Sequence, residues 1–422
     1  MILGKQRIGI LGMGTVGEGF CKTYHMNKNE IDDKIDTSLN IEKVLVKDID
    51  KKRDVDLPHS VYVDDFDEFN LAELDIIIEL IGGVNPAFEY IKKSLESGCH
   101  VITANKELMA KRGSELLKIA KNNNVLIRYE ASVGGGIPLI STINDALVSN
   151  KIVRMMGILN GTTNYILTKM TKERIEFDAA LKQAQELGFA EVDPTADVDG
   201  FDASYKLAIL SKDAFGVIPE PEEILKQGIR NISIEDIKYG NELGYNIKLL
   251  AIAERSNEHV ELSVEPTLIP VDHPIASVNN EYNALFIEGN SIGDVMLLGK
   301  GAGAMPTGSA VLSDVIDVIK KNKDYMGKKN AKNIIVKNIG LSAYYVRMEV
   351  LDMPGVLGKV AVAFGDFGIS LDSVVQRARG GRFAPLIFIT HEIERMKLND
   401  ALKTIENKDY VTEIQSIIKV VK

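Results

Sequence analysis

A glycine-rich turn close to the N-terminus constrains the fold of this chain more than any other segment. The apolar run Arg7–Leu11 leads directly into Gly12, Gly14 and Gly17, and a helical pattern continues to about Tyr24. A strand, a Gly-x-Gly-x-x-Gly turn and a helix in this order are the context of a dinucleotide site, where the backbone approaches a pyrophosphate at the helix N-terminus. The alternative is a plain glycine-rich turn. The predicted cofactor contacts are Gly12, Met13, Gly14, Thr15, Val16 and Gly17.

Strand and helix patterns alternate after this turn. Because the strand segments are apolar on both faces, they indicate a parallel sheet covered by helices on both sides. The predicted strands are Ile41–Val46, Leu74–Leu80, His100–Thr103 and Val125–Tyr129, and the predicted helices lie near Pro86–Ser97 and Glu107–Asn122. The polar stretch His25–Asn40 is interpreted as an insertion before the second strand. The predicted fold class is α/β, with a Rossmann-type doubly wound parallel sheet.

The remaining sequence indicates two further domains. From residue 151 the pattern is mixed α and β, and the glycine-rich stretch Leu297–Gly308 precedes a long helix that ends at about Lys321. The C-terminal pattern has the order βαββαβ, which is typical of a ferredoxin-like module. We predict a Rossmann domain of residues 1–150 plus 301–325, an α+β substrate-binding and dimerisation domain of 151–300, a linker of 326–341 and a ferredoxin-like domain of 342–422.

Charge and composition exclude several classes of protein. A net charge of −10 and a pI near 5.3, without a basic stripe, argue against nucleic-acid binding. No apolar run approaches the roughly 20 residues that a membrane helix needs, and the strand pattern near Met1 leaves no room for a signal peptide. Cys21 and Cys99 lack metal-type spacing. We therefore expect a cytoplasmic protein without a disulfide framework or a catalytic cysteine.

The segment Gly188–Lys206 is the strongest candidate for chemistry. It contains several carboxylates and ends in a helical pattern on which Asp202 and Lys206, four residues apart, share a face. A carboxylate beside an ammonium group at the start of an apolar helix is suited to binding and protonating a small polar substrate. The alternative is an N-capped helix with a solvated acidic approach. The carboxylates are Glu191, Asp193, Asp197, Asp199 and Asp202.

Taken together, these segments resemble homoserine dehydrogenases that carry a C-terminal ACT domain. The resemblance covers essentially the whole chain and rests on six motifs in the right order. They are Gly12–Gly17, Thr103–Lys106, Glu130–Pro138, Leu159–Tyr165, Gly188–Lys206 and Gly301–Gly303. The resemblance implies interconversion of L-homoserine and L-aspartate 4-semialdehyde with NAD or NADP, in threonine, methionine and isoleucine biosynthesis. Because no kinase region precedes the fingerprint in this sequence, we expect the form of the family with one activity.

The same resemblance implies roles for particular residues. Lys206 matches the proton donor, Glu191 and Asp202 match groups that hold the substrate, and Lys106 matches a lysine where nicotinamide and substrate meet. Gly188 and Gly303 match further cofactor contacts. Hydride addition to an aldehyde leaves an alkoxide, and a lysine with a reference pKa of about 10.4 can protonate it. As alternatives, Lys106 is a surface lysine, Glu191 is a loop carboxylate, and Asp202 only orients Lys206.

A monovalent cation, usually sodium, is also implied by the resemblance. Its ligands would be backbone carbonyls of Glu130, Val133, Gly135 and Ile137. Carbonyl oxygens from a glycine-rich turn suit a hard cation. The alternative is a turn that binds no ion.

The choice of cofactor depends on Lys47 and Asp48 at the end of the second strand. An acidic residue there holds the ribose 2′-hydroxyl of NAD, and a basic one accommodates the 2′-phosphate of NADP. The first position is often arginine in the family; lysine supplies a point charge without bidentate geometry. With Lys51, Lys52 and Arg53 nearby, the sequence favours NADP and leaves use of both cofactors open.

The turn Asp352–Gly355, which includes Pro354, resembles the amino-acid-binding turn of ACT modules. The resemblance implies feedback inhibition, with L-threonine as the expected effector, and a homodimer or homotetramer; the alternative is a purely structural or dimerising module. Two other functions remain open at this point. One is a sugar or polyol dehydrogenase with a catalytic lysine at Lys106, and the other is a dinucleotide and amino-acid sensor without turnover.

Overall fold

The structure, a computed structural model, describes residues 4–256, 259–320, 335–377 and 381–422. The chain passes back and forth between two units, each built from three segments. The first unit comprises Met1–Val153, Ser204–Ile224 and Tyr282–Ile334, and the second comprises Arg154–Ala203, Leu225–Glu281 and Ile335–Lys422. This division into two units does not test the four domain and linker boundaries expected from the sequence, which stay a prediction. Residues 326–334 of the expected linker lie outside the described residues.

The apolar runs of the N-terminal region form one parallel sheet in the first unit. Its strand order is β3-β2-β1-β4-β5-β6, which confirms the predicted doubly wound sheet. Ile8, Ile10, Ile76 and Ile78 are fully buried in it because helices cover both faces. The strands are β1 Gly4–Leu11, β2 Thr37–Leu45, β3 Tyr62–Val63, β4 Ile76–Glu79, β5 His100–Thr103 and β6 Ile127–Arg128. The helices are α1 Thr15–Met26, α2 Lys28–Ile35, α3 Ala87–Glu96, α4 Lys106–Asn122 and α5 Leu139–Ser141.

The polar stretch His25–Asn40, interpreted from the sequence as an insertion before the second strand, consists mostly of regular secondary structure. It forms α2, and β2 begins at Thr37 rather than Ile41. The reason is the Tyr24 hydroxyl, which accepts the backbone N–H of Leu39 at 3.0 Å and donates to Asp32 at 2.8 Å. These bonds attach both elements to α1.

The middle of the chain builds a mixed sheet in the second unit. In it, β7 and β10 flank β9, and both pair with it in antiparallel fashion. The strands are β7 Ile152–Ile158, β8 Leu225–Lys226, β9 Tyr245–Arg255 and β10 His259–Pro270. The helices are α6 Gly161–Glu173, α7 Phe177–Glu186, α8 Thr195–Val198, α9 Phe201–Phe215 and α10 Ile234–Glu242. Helix α9 carries the chain from the second unit into the first after Ala203.

A hairpin and a long helix then return the chain to the core of the first unit. They are β11 Tyr282–Gly289, β12 Gly293–Lys300 and α11 Ala304–Lys320. The start of the predicted glycine-rich stretch, Leu297–Lys300, is therefore strand. Val311 and Val315 of α11 are fully buried in the same cluster as Ile8. Helices α1 and α11 approach closely: a Cβ on Gly308 would lie 2.4 Å from the backbone of Gly19.

The C-terminal segment forms a ferredoxin-like module in the second unit. The strand order β18-β14-β16-β15 and the two intervening helices confirm the predicted βαββαβ arrangement. Two residues of β18 also pair in parallel with β10, at Thr267–Lys419 and Leu268–Val420. The elements are β13 Ile335–Val336, β14 Leu341–Leu351, α12 Val356–Asp366, β15 Leu371–Gln376, β16 Phe383–Thr390, β17 Ile393–Glu394, α13 Arg395–Glu406 and β18 Val411–Val420.

Among the described residues, no helix has the length and apolar character needed to cross a membrane.

Candidate active site

The three glycines of the N-terminal turn are required for three different reasons. Gly12 has φ +98°, and a Cβ there would lie 2.8 Å from the carbonyl oxygen of Leu80. A Cβ on Gly17 would lie 2.9 Å from the carbonyl oxygen of Gly12, so this glycine permits close packing of strand and helix. At Gly14 nothing lies within 4 Å. The turn is therefore tight on the protein side and open where a pyrophosphate would approach the N-terminus of α1.

Charged side chains of both signs follow the end of β2. Lys47 is exposed just beyond the strand. The Asp48 carboxylate accepts the N–H groups of Asp50 and Lys51 at 3.0 and 3.1 Å. The Arg53 guanidinium donates to the carbonyl oxygens of Asp48 and Lys51 at 2.7 and 2.9 Å. Asp48 thus stabilises a local turn to which Arg53 is bonded, and Lys47 stays exposed beside it.

Glu79, at the carboxyl end of β4, is a site residue that sequence reasoning missed. It is fully buried, and its carboxylate accepts the Thr103 hydroxyl at 2.6 Å and the N–H groups of Ile81 and Gly82 at 2.7 and 3.1 Å. Burial raises the pKa of Glu79, although these hydrogen bonds act in the opposite direction. The available signal was a single charge that ends an otherwise apolar strand.

These contacts position the start of α4. Asn105 donates its backbone N–H to the Thr103 hydroxyl at 3.0 Å and its side-chain amide to the Gly83 carbonyl at 2.6 Å. The Asn105 side-chain oxygen also accepts the N–H of Leu108 at 3.1 Å, so Asn105 caps the helix. Lys106 is the first residue of α4. It therefore lies at the carboxyl edge of the parallel sheet, where ligands of such folds bind.

We expect Glu79→Gln to lower the free energy of unfolding by about 1–3 kcal/mol, because an amide cannot satisfy all the donors that surround the buried carboxylate. Urea unfolding of the purified chain measures this change. Glu89→Gln on the exposed face of α3 is the matched control and should be close to neutral. Equal effects of the two substitutions would contradict a structural role for Glu79.

In the second unit, Asn160 organises a group of carboxylates. Its side-chain oxygen accepts the N–H of Thr163 at 2.9 Å and caps α6. Its side-chain nitrogen donates to Asp197 at 2.7 Å and to Asp202 at 2.9 Å. The motif containing Asn160 was recognised in the sequence, but this role was not, because Asn160 and Asp202 are 42 residues apart.

Asp202 and Lys206 both lie in α9 and are only 3% and 8% exposed. Charged side chains are rarely this buried unless they have partners or a function. A solvated acidic approach therefore does not describe this pair. Lys206 belongs to the part of α9 in the first unit, and Asp202 belongs to the part in the second.

The other carboxylates of this segment have different surroundings. The Asp199 carboxylate is 2.7 Å from Arg230 Nε, and Asp193 accepts the N–H of Thr195 at 3.1 Å. Both therefore have local structural roles. Glu191 is exposed in the loop that follows Gly188, where Gly188 has φ +75° and ends the turn after α7.

A buried turn follows β6 and contains the four predicted cation ligands. The Glu130 carboxylate accepts the N–H groups of Ile140 and Ser141, each at 2.8 Å. Asp314 accepts the backbone N–H of Glu130 at 2.9 Å. Burial raises the pKa of Glu130, and burial together with repulsion from Glu130 raises the pKa of Asp314. Two carboxyl groups thus share this part of the first unit. Val133, Gly135 and Ile137 are buried as well.

Cysteine chemistry is disfavoured by the surroundings of both thiols. Burial raises the pKa of Cys21 to about 12 and that of Cys99 to about 11, so neither is a thiolate at neutral pH. Within the described residues, no group of three or more His, Cys, Asp and Glu side chains is placed to hold a metal ion.

The parallel sheet with its open glycine turn is that of a dinucleotide-binding domain, as in NAD(P)-dependent oxidoreductases. Family models support this: the NAD-binding domain of homoserine dehydrogenase matches residues 12–130, homoserine dehydrogenase matches 138–316, and the ACT domain matches 344–409. The chain is 40% identical over 423 residues to homoserine dehydrogenase of Bacillus subtilis strain 168, with 98% of each chain covered.

Solved structures agree with these matches. A homoserine dehydrogenase from Thiobacillus denitrificans superposes with a TM-score of 0.93 at 36% identity, covering 99% of this chain and 98% of that one. A hyperthermophilic archaeal homoserine dehydrogenase in complex with NADPH gives a TM-score of 0.63 at 29% identity, covering 78% of this chain and all of that one. The chain belongs to the homoserine dehydrogenase family. The sensor and the sugar or polyol dehydrogenase are therefore not favoured.

Proposed function

We propose that the chain interconverts L-homoserine and L-aspartate 4-semialdehyde, with Lys206 as the proton donor. The observation that carries this proposal is the burial of Lys206 in α9, one turn after Asp202. When bound, NAD or NADP would accept the hydride from C4 of homoserine, or supply it to C4 of the semialdehyde in the reverse direction. Lys206 gives a proton to the oxygen on that carbon during reduction, and it accepts the hydroxyl proton during oxidation.

The substrate's charged groups have natural partners in this set of residues. Glu191 is assigned to the α-ammonium group, and Lys106 to negative charge close to the nicotinamide. Asp202 holds the substrate and orients Lys206; the hydrogen bond from Asn160 at 2.9 Å supports this role because it fixes the carboxylate.

The cofactor is assigned to the glycine turn Gly12–Gly17, Lys47, Lys106, Gly188 and Gly303. Gly303 has φ +126° at the start of α11, a conformation that other residues rarely adopt. The exposed Lys47 beyond the end of β2 supports NADP over NAD.

Lys47→Ala should raise KM for NADP about 10-fold or more and leave KM for NAD nearly unchanged, because a charge-assisted phosphate contact contributes roughly 1.5–3 kcal/mol. Initial rates with each cofactor at saturating homoserine measure this change. Lys52→Ala, which removes an exposed charge from the same loop, is the control. A similar rise in KM for both cofactors would contradict the assignment.

A sodium ion is assigned to the carbonyls of Glu130, Val133, Gly135 and Ile137. The fit is supported by the two buried carboxyl groups nearby, which a cation would neutralise. It is also supported by Asn283, which is 2% exposed and whose side-chain oxygen has no hydrogen-bond partner among the described residues. Gly301 lies against that amide, and Gly135 approaches Gly301 so closely that a Cβ on Gly135 would lie 2.4 Å from its carbonyl.

The ACT module is proposed to bind an amino-acid effector, L-threonine, at Asp352, Pro354 and Gly355. These residues are exposed in a turn where Gly355 has φ +86° and caps α12, which suits an accessible ligand site. We further propose a cytoplasmic homodimer or homotetramer, with the domains and linker at the boundaries expected from the sequence.

One assay tests the central proposal. Initial rates of homoserine oxidation are measured with NAD and with NADP, with and without sodium and L-threonine. Turnover with either cofactor is expected, and the two additions test the cation and the effector separately. Absence of turnover under every condition, with a folded and cofactor-binding protein, would overturn the proposed function.

A further inference from the structure

A polar cavity of about 190 Å³ lies in the second unit, between α6, β9 and the residues that follow β10. None of the residues assigned above to substrate, cofactor, cation or effector lines it. A water molecule takes about 30 Å³ in the liquid, so the cavity has room for a small molecule. Its lining residues are Thr168, Thr171, Lys172, Asn246, Ile247, Lys248, Val271, Ala276, Ser277 and Asn279.

Lys248 is the unusual residue in this lining. It is 4% exposed, and its ammonium group donates to the carbonyl oxygen of Val278 at 2.5 Å and to the side-chain oxygen of Asn164 at 3.1 Å. An ammonium group has three donors, so these two acceptors leave one. Among the described residues, both hydrogen-bond acceptors of Lys248 are uncharged. Its positive charge therefore has neutral neighbours.

A second ammonium group, from exposed Lys172 on α6, lines the same cavity. Burial and, to a smaller extent, repulsion from the charge of Lys172 together lower the pKa of Lys248 to about 8. No acidic side chain lines the cavity to offset this repulsion. Two positive charges beside a polar cavity repel each other, and an anion bound between them would offset this repulsion.

The remaining donors in the cavity are nitrogen atoms rather than hydroxyl groups. The hydroxyls of Thr168, Thr171 and Ser277 already donate to backbone carbonyl oxygens at 2.6, 2.7 and 2.7 Å. The amide nitrogen of Asn279 donates one N–H to the Ser277 carbonyl at 2.8 Å, so its other N–H and the amide of Asn246 add to the two ammonium groups. Ammonium and amide N–H donors around a counter-charge are the usual arrangement for recognising oxygen anions.

We propose that this cavity binds a small oxyanion, a phosphate or a carboxylate, between Lys172 and Lys248. The anion accepts the remaining N–H of Lys248, and the ammonium group of Lys172 covers it from the solvent side. The site is separate from the proposed chemistry, so its occupancy and the dehydrogenase activity can be tested independently.

The test is isothermal titration calorimetry, in which the full chain is titrated with inorganic phosphate and, separately, with acetate in an oxyanion-free buffer. Saturating NADP keeps either anion out of the nucleotide site. Binding of phosphate alone or of acetate alone supports the proposal and identifies the source, and binding of both supports the shared chemistry. Absence of binding by both anions overturns it.

Charge-neutral variants locate the site. Lys172→Gln, on the exposed face of α6, should weaken binding at least 10-fold and leave homoserine turnover unchanged, and Lys248→Met should abolish binding. Lys182→Gln removes an exposed lysine from α7 and should have no effect. Because Lys248→Met removes a buried group and can impair folding, Lys172→Gln decides the test. Equal weakening by Lys172→Gln and Lys182→Gln would show general charge attraction and overturn the proposal.

Discussion

Lys206→Met is expected to lower the turnover number for homoserine oxidation by about 10²–10⁴-fold, the range that a positioned proton donor contributes. Methionine keeps the length of the side chain and removes the ammonium group, so the packing of the buried position is largely retained. The loss should appear in kcat. Affinity for the cofactor should change little, because the glycine turn and the end of β2 lie on other elements.

The controls separate chemistry from folding. NADP binding measured by fluorescence titration should be close to that of the unsubstituted chain. Lys182→Met, which replaces an exposed lysine on α7, should leave turnover unaltered. A Lys206→Met variant that is folded, binds NADP and oxidises homoserine at an undiminished rate would remove Lys206 from the mechanism.

Arg347→Met is expected to lower the free energy of unfolding by about 3–5 kcal/mol, because it leaves a buried carboxylate without its counter-charge. Asp236 is fully buried and Arg347 is 4% exposed. Arg347 Nε and Nη2 lie 2.7 and 3.2 Å from the two oxygens of Asp236. This pair joins α10 to β14 of the ferredoxin-like module within the second unit. Equilibrium urea unfolding measures the change.

Two comparisons make this prediction specific. Arg377→Met removes a surface partner of Glu242, at 3.0 Å, and should cost less than about 1 kcal/mol. Adding Asp236→Leu to Arg347→Met should recover much of the loss, since both charges then leave the interior. Equal costs for the buried and surface substitutions would refute the assigned importance of the pair.

The pair also has a defined pH dependence. Burial raises the pKa of Asp236, but the hydrogen bonds and charge of Arg347 outweigh it, so the pKa lies below its ordinary value. A carboxyl group with a lowered folded-state pKa stabilises the fold above its unfolded pKa of about 3.9 and loses this contribution as the pH falls through the folded value. Arg347→Met should therefore reduce the acid sensitivity of unfolding below about pH 4.

The sequence predicts the elements of this fold well where apolar patterns are strong. Strand β5 has the bounds expected from its apolar run, His100–Thr103. It predicts less well where tertiary contacts decide, as at β2, whose polar start is fixed by the Tyr24 hydroxyl. The hairpin β11–β12 was not predicted as a whole, because its second strand has polar and glycine positions on its exposed side.

The candidate site shows the same limit. Residue type and spacing identified Asp202 and Lys206, whose relation is set by one helix. They did not identify Glu79, Asn160 or the Arg347–Asp236 pair, because each depends on partners far away in sequence. Asp199 shows why: its partner Arg230 is 31 residues away, and no local pattern indicates that pairing.

The close contact between α1 and α11 has a consequence for biosynthesis. The ribosome releases α1 and most of the parallel sheet early, but Val311 and Val315, which complete their hydrophobic cluster, emerge roughly three hundred residues later. Until then, the apolar face of the nascent parallel sheet and α1 that α11 covers in the folded protein stays exposed while the intervening segments are translated. Chaperone demand during synthesis should fall sharply once residue 320 has left the exit tunnel, and fragments that stop before Ala304 should aggregate.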